Sequence, residues 1–167
     1  TYLYKRYQVN GFFVQPNKSI LPSQAMHQVL SYDQRMGENT RLKIEAYWQN
    51  IQQVPVDTLK TGQFSMLNYS SGIPTQILEN KGQGINKGIE LTLERFFADN
   101  FYYLLTASLF DSKYQNKDLK WRNTQFNNMY AGNILLGKDF KLNKQKSLSL
   151  NLRYLMRGGN RYTPINL

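Results

Sequence analysis

The sequence predicts an all-β chain, an antiparallel up-and-down meander of about six to seven strands, on three observations. Apolar and polar residues alternate with a period of two over long stretches, the signature of strands with one greasy face. These stretches come in pairs joined by short connections, and the pairs are separated by long segments rich in Gly, Asn, Ser, Gln and Pro.

The clearest pair spans Ile85 to Lys113, with a tight turn at Ala98, Asp99 and Asn100. On its first strand Ile89, Leu91, Leu93 and Phe97 occupy the odd positions, broken by Arg95, while Gly88, Glu90, Thr92 and Glu94 occupy the even ones. On its second, Phe101, Tyr103, Leu105, Ala107 and Leu109 form one apolar face, and Tyr102, Leu104, Thr106 and Ser108 a mixed one. The pattern recurs from Arg41 to Asn50, where Leu42, Ile44, Ala46 and Trp48 alternate with polar residues. Its expected partner is Met26 to Arg35, joined through Met36, Gly37, Glu38 and Asn39, a Gly-containing connection suited to a hairpin. A third hairpin is expected from Asn128 to Phe140 and from Ser147 to Met156, turning at the basic run Lys141 to Lys146. The short alternation from Tyr2 to Val9 predicts one further strand.

Connections alternate in length. Short turns close the hairpins, whereas the links between them run from Ile51 to Gly84 and from Ser112 to Asn127. Unstructured links longer than about 15 residues are uncommon in compact domains, and alternation of short turns with long loops is the plan of a membrane-spanning β-barrel. Strands of about ten residues, rising about 3.3 Å each and tilted near 45°, cover roughly 23 Å, close to an apolar band of about 25 Å. Phe96, Phe97, Phe101, Tyr102 and Tyr103 crowd the turn end of the central hairpin, as an interfacial girdle would. A soluble β-sandwich shows the same alternation. Periodicity does not say whether the apolar face meets lipid or protein.

Composition removes other classes. The 167 residues include no Cys, which excludes a disulfide-stapled domain and a thiolate metal site. No apolar run approaches the roughly 18 residues of a spanning helix, and no basic segment leads into an apolar one as in a signal peptide. Lys and Arg number 21 against 11 acidic residues, a net charge of +10 that favours anionic partners such as nucleic acid, phosphorylated lipid headgroups or an acidic ligand. Twelve Tyr, nine Phe and two Trp make 14% of a chain whose mean hydropathy, −0.57, is otherwise polar.

Particular stretches decide between the two readings. NKGIELTLE (Asn86 to Glu94), LLTASLFDSKY (Leu104 to Tyr114) and WRNT followed by FN (Trp121 to Asn127) resemble the late barrel segment of TonB-dependent receptors from Bacteroidetes-type bacteria. The likeness spans Ile85 to Phe140 and extends more weakly to TRLKIEAYWQN (Thr40 to Asn50), VPV (Val54 to Val56) and RYTPI (Arg161 to Ile165). The resemblance implies that the meander forms part of a large transmembrane β-barrel in the bacterial outer membrane, of a type whose lumen is closed by a plug. It implies import of a scarce nutrient (siderophore, glycan or peptide), driven by the TonB complex acting through the plug. Implied partners are outer-membrane lipid, the rest of the barrel and plug, and the nutrient ligand. Residues 1–167 carry no recognisable plug, signal peptide or closing strand ending in an aromatic residue, so the expectation is one interior piece of a larger receptor. The alternative is a soluble all-β module binding carbohydrate or nucleic acid through basic, aromatic-rich loops.

Catalysis is not expected. Glu90 and Glu94 share a strand face but stand about 13 Å apart, beyond the roughly 5 to 9.5 Å of carboxylate pairs that hydrolyse glycosides. His27 is the only His, and Asp33 on the same strand face is about 20 Å from it. GQGINKG (Gly82 to Gly88) has the spacing G-x-G-x-x-x-G and precedes a strand, which fails the dinucleotide test. No cofactor or metal is expected. Lys113, Tyr114, Lys117, Lys120, Trp121 and Arg122 interleave charge with rings in the manner of a single-strand nucleic-acid groove. In the receptor reading they lie on an extracellular loop, with no nucleic acid involved, and the candidate ligand contacts are Tyr69, Trp121 and Arg122. The triplet Asn68, Tyr69 and Ser70 matches a glycosylation site and reads as a chance match.

Overall fold

Asp99 and Asn100 both adopt positive φ, 54° and 61°, the backbone of a two-residue type I′ turn whose twist matches that of paired strands. This turn reverses the longest strand of the chain. The computed structural model describes residues 6–70, 74 and 76–161. In chain order its strands are β1 (Tyr7–Val9), β2 (Phe12–Val14), β3 (Gln24–Arg35), β4 (Thr40–Asp57), β5 (Leu78–Ala98), β6 (Phe101–Gln115), β7 (Trp121–Asn123), β8 (Tyr130–Lys141) and β9 (Ser147–Arg157). A 3-10 turn, Met66–Asn68, lies between β4 and β5.

The expected meander is present. One seven-stranded antiparallel sheet has the order β3-β4-β5-β6-β8-β9, with short β7 paired beside the end of β6. The three expected hairpins are β3-β4, β5-β6 and β8-β9, and β8 begins at Tyr130 rather than Asn128.

Three local features differ from expectation. The strand expected at Tyr2 to Val9 falls partly outside the described residues, and its described end does not join the large sheet. Tyr7–Val9 instead pairs with Phe12–Val14. The reason is local: Asn10 and Gly11, with φ of 49° and 83°, form the Asn-Gly turn that closes the tightest hairpins. The link expected from Ile51 to Gly84 is shorter, because β4 runs on to Asp57 and β5 starts at Leu78. Gln53, at φ 55°, is the extra residue of a bulge that lets the ladder continue past Ile51. The link from Ser112 to Asn127 likewise contains the end of β6 and all of β7.

Register sorts the side chains onto two faces. Ile44 pairs with Leu91, Leu91 with Ala107, Ala107 with Gly132 and Gly132 with Met156. Directly opposed residues share a face, so Leu42, Leu91, Leu105 and Leu150 lie on one side of one sheet. That side continues through Leu30 and Tyr32 of β3 and Leu148, Leu152 and Tyr154 of β9. Among the described residues no second sheet lies against it: Leu30 is 78% exposed, Leu91 40% and Leu150 55%. The other face carries Arg41, Lys43, Glu45, Glu90, Thr92, Thr106, Ser108, Asn133, Asn151 and Arg153.

The buried core sits at the long-loop end of the sheet, beyond the apolar face. Val54, Val56, Leu78 and Tyr114 are its apolar members, and Pro55 and Pro74 are buried as well. Two asparagines sew the preceding segment onto it. Buried Asn17 accepts from the Leu78 amide at 2.8 Å and donates to the Gln76 carbonyl at 2.9 Å. Asn80 accepts from the Leu21 amide and donates to the Leu21 and Gln53 carbonyls. These side chains supply the ladder bonds that the ends of β4 and β5 would otherwise lack, as buried backbone polar groups require.

Candidate functional site on the polar face

On the polar face β3, β4, β5 and β6 enclose a depression of about 460 Å³, within the size range of small-molecule sites. The strand pattern places its lining. His27 and Val29 come from β3, Glu45, Tyr47 and Gln49 from β4, Asn86 and Glu90 from β5, and Phe110 and Ser112 from β6. Phe126, from the loop after β7, completes one wall.

Tyr47 lies across β5 because its direct partner is Gly88. A Cβ at Gly88 would stand 2.8 Å from the Tyr47 hydroxyl, so only glycine admits the ring there. His27 meets the same ring edge-on, centroids 5.9 Å apart. A polar ladder crosses the strands beside it: Thr124 Oγ1 donates to Ser112 Oγ at 3.0 Å, Ser112 Oγ to Asn86 Oδ1 at 2.6 Å, and Asn86 Nδ2 to Gln49 Oε1 at 2.7 Å. Asn68 holds the loop bearing Phe126 from above, accepting from the Gln125 amide at 2.6 Å and, through its carbonyl, from Gln125 Nε2 at 3.0 Å.

The charges form a pattern that the sequence did not disclose. Glu90, which the sequence sets against Glu94, stands directly opposite Glu45 across the ladder. Lys43 Nζ reaches Glu45 Oε2 at 2.7 Å. Arg41 binds Asp33 through its guanidinium and faces Glu94 in the ladder. Among the described residues no ion pair or side-chain hydrogen bond reaches the Glu90 carboxylate. The missing signal was the β4-β5 register: hairpin turns set register, but β4 and β5 are joined by the long 58–77 loop, which sets none.

The three loop candidates have different surroundings. Tyr69 ends the 3-10 turn, and its half-buried ring packs on Phe64 at 5.1 Å between centroids. Trp121 pairs with Gln115 and Arg122 with Tyr114, so the two neighbours point to opposite faces. Trp121 is 42% exposed on the side continuous with the apolar face. Arg122 is committed to Asp118, donating through Nη1 at 2.9 Å and through Nη2, and it also donates to the Lys120 carbonyl. Among the described residues no group of three His, Cys, Asp or Glu side chains is placed to hold a metal ion.

The Arg122 hydrogen bonds, followed by the bond from the Lys120 amide and the nearby positive charges, lower the Asp118 carboxyl from 3.8 to about 2. A carboxylate lowered in the folded state contributes stability that is complete above its unfolded value and lost as pH falls through its folded one. The Asp118 clamp on the 116–120 loop is therefore whole above pH 3.8 and released as pH approaches about 2. NMR titration of the Asp118 carboxyl carbon checks this: the midpoint is expected near 2, and Arg122→Gln should return it toward 3.8.

No family model, curated protein or solved structure matches this chain.

Proposed function

We propose that this chain is a wall segment of a TonB-dependent receptor in a bacterial outer membrane, its apolar face in lipid and its polar face lining the lumen through which a nutrient passes. The observation that carries this reading is the uncovered face of the large sheet, apolar across six consecutive long strands and opposite a face of charges, amides and hydroxyls. Soluble monomers rarely expose a continuous apolar patch above a few hundred Å². A soluble module would have to bury this face, and no second layer lies against it among the described residues.

Lengths support the same reading. On the apolar face of β5 the stretch between Lys87 and Arg95 is free of charge, and its eight residue steps, tilted near 45°, span about 19 Å of membrane. Lys87 sits over the Trp48 ring, 5.9 Å from its centroid, as an amphipathic side chain does at a membrane interface. β5 has 21 residues, enough to reach about 50 Å along the barrel axis, roughly twice the apolar band. Its Leu78 end, with the buried core and both long loops, projects beyond the membrane. In this reading the short turns face the periplasm and the long loops the exterior, the segment binds and passes cargo without catalysis, and its partners are lipid, the remaining strands, the plug with its TonB complex, and the nutrient.

Fractionation and labelling test this together. The full-length protein should be recovered with outer membranes. Single Cys substitutions at Lys60 and Lys120 should react with an impermeant maleimide on intact cells, and those at Glu38 and Lys144 only after the outer membrane is opened. Recovery in the soluble fraction overturns the reading; labelling of Glu38 and Lys144 instead of Lys60 and Lys120 reverses the orientation.

A further inference from the structure

We infer that the polar-face depression is a site for an organic cation, an ammonium or guanidinium group on a short apolar stem. Two carboxylates face each other there, Glu45 and Glu90, and like charges directly opposed on a sheet destabilise it. Lys43 answers Glu45 at 2.7 Å. Glu90 has no answering cation among the described residues, although the chain as a whole carries a net charge of +10. A cation between the two carboxylates relieves their repulsion and meets the Tyr47 ring, whose face attracts positive charge.

The rest of the lining defines the ligand further. Val29 on the β3 side and Phe110 and Phe126 on the β6 side are apolar, which suits a hydrocarbon stem. The 460 Å³ volume accommodates a stem of a few carbons with its head group. The hydrogen bonds from Thr124 through Ser112 and Asn86 to Gln49 hold that part of the lining in one geometry, so little side-chain ordering is left there to oppose binding. The inference deepens the receptor reading by naming a chemical class of cargo, but the pocket itself is a property of the polar face.

The test titrates the full-length protein calorimetrically, purified from whichever fraction contains it, with butylguanidinium and with its neutral isostere butylurea. Butylguanidinium is expected to bind in about the millimolar range or tighter, and butylurea at least roughly tenfold more weakly. Glu90→Gln, a near-isosteric change at an exposed position, should abolish that preference. Glu94→Gln, on the same face but outside the pocket lining, should retain it. No binding of butylguanidinium, equal binding of the two probes, or a preference that survives Glu90→Gln overturns the inference. Recovery of the protein in the soluble fraction overturns the receptor reading instead, and the titration still decides the pocket.

Discussion

Replacing Leu91 or Leu150 with Arg is expected to destabilise the full-length protein in bilayers by about 2–4 kcal/mol, the cost of a basic side chain on the lipid face near the midplane. Both leucines lie on the uncovered face, 40% and 55% exposed. Ala at either position should cost much less than Arg, because lipid refills the space that a rigid core would leave empty. Thr92→Arg, on the polar face beside water and polar groups, should cost little. Asn151 is a poorer control, because its Oδ1 accepts from the Tyr102 hydroxyl at 2.9 Å. The measurement is reversible unfolding in lipid vesicles. An Ala penalty as large as the Arg penalty would place these leucines in a packed protein core and overturn the lipid-facing assignment.

Leu78→Ala is the second large effect, about 2–5 kcal/mol, from the region where the described residues pack a core. Leu78 is 5% exposed and lies with Val54, Val56 and Tyr114, while its amide is held by Asn17. Truncation there leaves a cavity that protein, not lipid, surrounds. The loss should appear as local opening of the loop-end body rather than as loss of the sheet. Limited proteolysis should cut the 58–77 loop faster, with the strand ladder from Glu90 to Thr106 unchanged in hydrogen exchange. Leu78→Ala and Leu91→Ala together separate the two apolar environments, since equal penalties would mean that both residues sit in the same kind of core.

Much of the fold was legible because the period-two signal is local. The alternation of Leu42, Ile44, Ala46 and Trp48, and of Leu148, Leu150, Leu152 and Tyr154, assigns faces without any partner. Short turns set the three hairpin registers nearby in sequence, with positive-φ Gly37 in the first, positive-φ Asp99 and Asn100 in the second and the basic 142–146 run in the third. The Asn10-Gly11 hairpin carried an equally local signal in its dipeptide, and it shows why the strand expected at the N-terminal end does not join the sheet.

The chain's own residues thus determined its strands, hairpins and faces, since those depend on neighbours two to a few residues away. Only the tertiary structure decided what long connections bring together. It carried β4 past the Gln53 bulge and set its register against β5, so that Glu45 faces Glu90 and Tyr47 lies on Gly88. It placed Phe126 on the pocket wall through Asn68 and Gln125, and it spent Arg122 on Asp118. Pairings across a long loop have no local signal, because closing it costs entropy that varies only slowly with length and favours no register. Cross-strand packing and hydrogen bonds select the register, and the pocket exists only once they have done so.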